Sequence, residues 1–249
     1  MTIIHRALLK IRPEPLAAVL KKLLGVTRRE VETSFGRFYI DPASNFGACI
    51  LSNVGYEPDQ TAQILRLTRG AKTFVDVGAN EGYFAVIAAR NMRGGGAVLA
   101  IEPQERLLPV LMKNMELNSL SFGITICAVS DHDGMEDMFF STTINTGTSG
   151  FVRSTRYPRP KKKVRVARLE HVLEEAGLTF VDCMKMDIEG LEYEAILGSP
   201  RLFEDKMIKT ILVETHIQQL AQRGRDPKRI FDFLRGCGYK NDGSIWSIS

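Results

Sequence analysis

From residue 73 onward the chain alternates short apolar runs with amphipathic stretches, and few folds accommodate that rhythm. Strands are expected at 73–77, 97–101, 124–129, 180–186 and 208–214. Helices are expected at 83–91, 105–118, 169–176, 191–197 and 227–236. In 105–118, Leu108, Leu111, Met112 and Met115 recur at helical spacing, and Pro109 fits only in a first turn. Strands and helices in this order specify an α/β, doubly wound, mainly parallel sheet. The last residues, 238–249, are expected to pair at a sheet edge.

Other features bound the fold before and within this pattern. Residues 1–30 read as helix interrupted at Pro13 and Pro15, with seven basic residues against two acidic ones. Such a basic amphipathic segment can pack on the protein or touch an anionic membrane peripherally. Apolar runs at 35–40 and 48–54 suggest a β-hairpin, and 60–69 a helix. This divides the chain into an N-terminal helical and β-hairpin extension at 1–58 and an α/β domain at 59–249. Inside the domain the alternation lapses at about 135–168, where a lid or extra hairpin is expected.

Composition excludes several classes. With 44% hydrophobic residues and a formal net charge of +4, the chain is an ordinary globular protein that needs no nucleic-acid partner. Cys49, Cys127, Cys183 and Cys237 have neither disulfide-framework nor zinc-site spacing. The apolar run at 15–20 ends at Lys21 and Lys22, short of the roughly 20 residues that span a bilayer. No export signal is evident, so a cytoplasmic location is expected.

The segment Phe74-Val75-Asp76-Val77-Gly78-Ala79-Asn80-Glu81-Gly82-Tyr83-Phe84 carries the most chemical information. A buried strand runs into a glycine turn and then a helix, at the strand end where doubly wound folds bind ligands. Gly78 permits a sharp turn and close ligand approach, and the helix N-terminus suits a carboxylate. The next strand ends at Glu102-Pro103, where a carboxylate can accept both hydroxyls of a ribose. A dinucleotide fits poorly: Asn80 stands where a second glycine is usual, and Asp76 and Glu81 would repel a pyrophosphate. S-adenosylmethionine has no phosphate, and Asp76 could attract its ammonium.

Asp76-Val77-Gly78-Ala79-Asn80-Glu81-Gly82 resembles the first motif of the FkbM family of S-adenosylmethionine-dependent methyltransferases. Further likenesses follow in Tyr56-Glu57-Pro58, Glu102-Pro103 with Asn114 and Asn118, Ala128-Val129-Ser130-Asp131, Lys185-Met186-Asp187-Ile188-Glu189-Gly190-Leu191-Glu192, and Glu214-Thr215-His216. The resemblance implies a class I (Rossmann-like) methyltransferase fold with a seven-stranded sheet. It also implies methylation of a hydroxyl, commonly on sugars or polyketide-type products. Gly78, Ala79, Asn80, Gly82 and Tyr83 would then cradle the cofactor, and Ala128 and Ser130 would flank its adenine, with Asp131 beside them.

An alcohol is a poor nucleophile at neutral pH, so a proton acceptor is expected at the ends of the fourth and fifth strands. His216 is the first choice by its ordinary pKa and Asp187 the second, with Glu214 alongside. Glu189 could join them or cap the next helix. The four could also hold a divalent cation, but two neighbouring oxygens and an imidazole make no specific signature, and no metal is assigned. His5, His132 and His171 receive no role.

The hydroxyl-rich stretch 141–150, including Ser149, could bind a polyol or be a plain polar loop. The eight cations between 152 and 168 could attract an anionic acceptor or be a solvated face. Tyr157 is the sole aromatic between Phe151 and Arg168, too little for a base-stacking platform, so nucleic acid is disfavoured. An RNA methyltransferase and a non-catalytic scaffold that binds the cofactor are the competing readings.

Overall fold

The computed structural model describes residues 8–11, 14–52, 55–92, 95–142, 145–151 and 160–248. The N-terminal part comprises α1 (Glu14–Leu23), β1 (Arg29–Thr33), β2 (Gly36–Ile40), α2 (Asn45–Leu51) and α3 (Pro58–Leu67). Then follow β3 (Thr73–Val77), α4 (Tyr83–Asn91), β4 (Ala97–Ile101), α5 (Leu108–Leu117), β5 (Gly123–Thr125), β6 (Ala128–Ser130) and β7 (Gly134–Phe139). The remainder is β8 (Lys161–Arg168), α6 (Leu169–Glu175), β9 (Cys183–Met186), α7 (Glu192–Leu197), α8 (Arg201–Glu204), β10 (Thr210–Val213), α9 (Ile217–Gln222), α10 (Lys228–Gly236), β11 (Lys240–Asp242) and β12 (Ile245–Ser247).

The central sheet has seven strands in the order β11-β12-β10-β9-β3-β4-β5. β10, β9, β3, β4 and β5 run parallel, while β12 is antiparallel to β10 and β11 to β12. The chain leaves β3 for β4 on one side and returns later to β9 on the other. That reversal of strand order opens a crevice beyond the carboxyl end of β3.

Both faces of the sheet are covered. Val75, Val77, Met184, Met186, Ile211 and Val213 share one core with α6, α7, α8 and α10. Phe74, Val98, Ala100, Cys183 and Leu212 share the other with α4 and with Phe38, Ile40, Phe46 and Ile50. Period-2 alternation assigns each side chain to a face. It also puts Asp76 and Lys185 on the second face, opposite each other in the β3–β9 register.

Two expectations are corrected. Of the expected strand 48–54, the described residues 48–52 are not a strand: 45–51 form α2, capped by Ser44, whose Oγ accepts the Gly47 N–H at 2.9 Å, and 53 and 54 lie outside the described residues. The hairpin pairs β1 with β2 instead, matching Arg29 with Ile40. The run 124–129 is not one strand either. β5 stays in the central sheet, and β6 leaves it to pair with β8 in a separate sheet ordered β6-β8-β7. The basic run forms β8, whose Val164 and Val166 point inward while Lys163 and Arg165 stay exposed. Pro109 lies in the first turn of α5, as its missing N–H requires. The four cysteines are free thiols. Among the described residues no helix is long and apolar enough to cross a membrane.

Candidate active site

β3 ends in a turn that only glycine can make. Gly78 has φ +84°, and a Cβ there would stand 1.9 Å from the Asp187 carbonyl oxygen. The Gly78 and Ala79 N–H groups donate to the Ile101 carbonyl at 2.9 and 3.0 Å, closing the loop onto β4. Asn80 is left-handed at φ 50°. Gly82, at φ 83°, begins α4, and a Cβ on it would press Leu111 at 3.0 Å. Glu81 also lines the crevice, and its carboxylate forms a bidentate pair with Arg28, 2.8 Å at each contact. Asn114 reinforces the same point by donating to the Glu81 carbonyl at 2.7 Å.

Glu102 closes one end of the crevice. It is 3% exposed and lines the wall. One carboxylate oxygen accepts the Asn80 N–H and the other the Gln104 N–H, both at 2.9 Å. Burial pushes its pKa up, and these donors oppose the shift. Each oxygen has a second lone pair to offer a ribose hydroxyl.

Above this end, residues 145–150 fold over the crevice. Thr146 Oγ1 donates to Asn80 Oδ1 at 2.9 Å, and Gln104 Nε2 to the Thr146 carbonyl at 3.2 Å. Ser149 Oγ donates to Gln104 Oε1 at 2.9 Å and accepts the Ser141 N–H at 3.0 Å. The hydroxyls of Thr146 and Ser149 thus hold the loop against Asn80 and Gln104, and Asn145, Thr148 and Ser149 line the crevice. Thr143 and Ile144 lie outside the described residues.

The other end is crowded with charge. Asp187 and Glu214 extend the ladders of β9 and β10, with N–H groups bonded to the Val77 and Met186 carbonyls at 3.0 and 2.9 Å. Asp187, Glu189, Glu214 and His216 all line the crevice. His216 Nε2 stands 3.6 Å from Asp187, 3.8 Å from Glu189 and 4.0 Å from Glu214. Its Nδ1 meets Glu192 Oε1 at 2.8 Å, and Glu192 is fully buried. Burial alone would lower the His216 pKa, but the Glu192 hydrogen bond and the surrounding carboxylates push it up to about 9. Burial pushes Glu189 up to about 7, with the His216 charge pulling only partly the other way. Glu189 is also left-handed, at φ 53°. Ligand atoms of Asp187, Glu214 and His216 lie within 4.8 Å of one another. Acids at that spacing are common without an ion, so the geometry assigns no metal.

Asp76 differs from expectation. It is fully buried and is not among the lining residues. Neither of its oxygens has a hydrogen-bond partner among the described residues, and burial pushes its pKa up. The wall position belongs to Lys185, whose ammonium is 3.6 Å from Asp76, 3.3 Å from Asp187 and 3.3 Å from the Gly78 carbonyl. Burial works against the Lys185 charge, but Asp187 and Asp76 outweigh it and raise its pKa. Gly82 and Ser130 also lie off the wall, whereas Gly78, Ala79, Asn80, Tyr83, Pro103 and Ala128 are on it.

Several lining or supporting residues escaped the sequence reading. Gln104 and Glu192 act through hydrogen bonds to loop and imidazole, which no spacing rule reveals. Lys185 left a signal, a lone cation inside an apolar strand. Phe46, Tyr56 and Glu57 reach the wall from the N-terminal part. His132 and His171 make surface pairs with Asp131 and Asp133, at 2.9 and 2.8 Å. The cations of β8 are paired as well: Lys161 with Asp137 at 2.6 Å, Lys162 with Glu105 at 3.8 Å, Arg168 with Glu170 at 3.8 Å, and Arg165 with Glu175. Arg153, Arg156, Tyr157 and Arg159 lie outside the described residues.

Solved structures similar to this chain include the methyltransferase FkbM from Methylobacillus flagellatus (16% identity, 78% of this chain and 48% of that one, TM-score 0.44). This chain thus spans about half the length of that protein. Others are an O-methyltransferase from Bacillus cereus in complex with SAH (13% identity, 80% and 84% covered, TM-score 0.43) and the tRNA (uracil-54, C5)-methyltransferase of Pyrococcus abyssi with S-adenosyl-L-homocysteine (14% identity, 86% and 39% covered, TM-score 0.45). No curated protein matches the sequence. The family model described as the Methyltransferase FkbM domain matches residues 76–240. That match takes in the glycine turn, Glu102 and the charged strand ends. A glycine cradle followed by a buried carboxylate fits S-adenosylmethionine, and the chain belongs to the FkbM family of S-adenosylmethionine-dependent methyltransferases.

Proposed function

We propose that this methyltransferase methylates a hydroxyl oxygen of a sugar, glycan or related natural product. One observation carries the reading: Asp187, Glu189, Glu214 and His216 converge on the wall of the same crevice that Glu102 and the glycine turn close from the other end. When bound, S-adenosylmethionine supplies an electrophilic methyl group on a sulfonium. The chain has to hold the acceptor hydroxyl in line and take its proton. Positioning alone is worth roughly 7–11 kcal/mol at best, and a proton acceptor adds about 10²–10⁴-fold.

Glu102 would accept ribose hydroxyls, the Gly78–Ala79 turn would let the cofactor approach the backbone, and Tyr83, Pro103 and Ala128, which line the crevice, would flank it. At the acceptor end the roles differ from the sequence expectation. With a pKa of about 9, His216 already carries a proton at neutral pH and is a poor base. Its cation instead holds three carboxylates together. Glu189, at about 7, is matched to neutral-pH proton transfer and is the general base, with Asp187 orienting the hydroxyl. Gln219 Nε2 steadies Glu189 at 3.2 Å.

An acceptor neutral at its reacting end suits this wall. Glu57, Asp187, Glu189 and Glu214 would repel a phosphate, and the acids beside β8 offset its cations. The test is transfer of labelled methyl groups to fractionated extract of the native cell, followed by mass spectrometry of the product. Label on a sugar-containing product, bonded through oxygen, is expected. Label retained in RNA, or on nitrogen or carbon, would overturn the proposal.

A further inference from the structure

Most helices on this protein bury their apolar side, but α1 does the reverse. Ala17 is 1% exposed and Lys21 pairs with Asp41, so these two residues, one turn apart, face the body. Leu16, Val19 and Leu23 are 48%, 56% and 76% exposed, and Leu24, just past the helix, is 56% exposed. Leu16, Val19 and Leu23 fall within an arc of about 60° on the helix. Four of the eight exposed large apolar side chains among the described residues thus sit within nine positions of sequence.

The sequence around this stripe is positively charged: Lys22 lies on the same helix, Lys10 and Arg29 stand close to it in sequence, and all three are exposed. Glu14 and Glu30 are the only acids in the first thirty residues, and Glu30 is engaged by Lys113 at 3.6 Å. The inner face is already fixed: beyond Lys21, the bidentate Arg28–Glu81 pair ties the following segment to the cofactor loop. An outward aliphatic stripe flanked by lysine and arginine fits an interface where apolar side chains enter the acyl boundary and cations meet anionic headgroups. We infer that α1 is a docking surface for an anionic lipid bilayer.

The test is co-sedimentation of the full chain with vesicles of phosphatidylcholine and phosphatidylglycerol in equal parts, beside vesicles of phosphatidylcholine alone. Preferential binding to the anionic vesicles is expected, weakening as salt is raised. The double variant Leu16→Glu, Leu23→Glu should lower that partition by roughly a hundredfold. Both positions are exposed, so the melting temperature and S-adenosylhomocysteine binding should not change. Lys22→Glu, which leaves the apolar stripe intact, should weaken binding by about fivefold or more. Equal sedimentation with both vesicle types, or binding unaffected by the double variant, would overturn the inference. So would a wild-type dimer in solution that Leu23→Glu converts to monomer, because a second copy would then cover the stripe.

Discussion

The two ends of the crevice hold acids in opposite circumstances: Glu102 is buried, Asp187 and Glu189 are half-buried, and Glu214 is exposed. At the β4 end, Glu102 is alone and satisfied, each oxygen bonded to a backbone N–H of the loop it organises. At the β9–β10 end, Asp187, Glu189 and Glu214 crowd one imidazole and one lysine. A satisfied carboxylate is a fixed acceptor whose geometry is set before any ligand arrives. In the crowded set burial raises the Glu189 pKa and the neighbouring carboxylates raise that of His216, which suits groups that exchange protons near neutral pH. On the proposed reading the β4 end binds and the β9–β10 end does chemistry, and each end can be perturbed by itself.

The largest effect is expected at the crowded end. Glu189→Gln keeps the shape but cannot take a proton, so kcat should fall about 10²–10⁴-fold while S-adenosylhomocysteine affinity stays within about threefold. Steady-state kinetics and calorimetry on the same preparation check this. An equal loss in both quantities would erase the distinction between the ends. Next comes pH. Glu189 must be deprotonated to act, so kcat should drop by about tenfold per pH unit below its pKa of about 7. His216 must keep its proton to hold the carboxylates, so activity should fall again above about 9. A rate still climbing through that upper limb would return the base role to neutral His216.

At the quiet end, Glu102→Ala strands the Asn80 and Gln104 N–H groups and removes the ribose acceptor. The two losses together should weaken S-adenosylhomocysteine binding by about 10–100-fold, with kcat at saturating cofactor changed far less. The smallest effect is expected on β8. Lys161→Ala with Lys163→Ala removes exposed ion pairs to Asp137 and should leave both the melting temperature and kcat/KM for the acceptor unaltered. A marked rise in KM would restore the basic strand to acceptor binding.

The centre of the sheet is legible because β3, β4, β9 and β10 are largely buried on both faces and read as mainly apolar runs. Thr73–Val77 and Ala97–Ile101 fall where that pattern puts them. Residues 48–54 misled because Ala48, Cys49, Ile50 and Leu51 are as apolar as a strand, while the helix is decided by the Ser44 cap and by Gly47, where a Cβ would meet the Asp41 carbonyl oxygen at 1.9 Å. The run 124–129 concealed a change of sheet, since apolarity does not say which neighbour a strand will pair with. In the site, residue types were readable but their charge states were not. His216 reads as a neutral base in isolation, whereas the folded neighbourhood of Glu192, Glu189 and Asp187 raises its pKa. Asp76 sits at the position expected, yet its partner across the strands, Lys185, takes the place on the wall. Cross-strand register, absent from a linear pattern, decides that exchange.

The most direct test is calorimetric titration of S-adenosylhomocysteine into wild-type, Glu189→Gln and Glu102→Ala proteins, each shown to be folded by its melting curve. Micromolar binding that survives Glu189→Gln and is lost or sharply weakened in Glu102→Ala is predicted. Absence of binding to the folded wild type, or binding that Glu102→Ala leaves intact, would contradict the account.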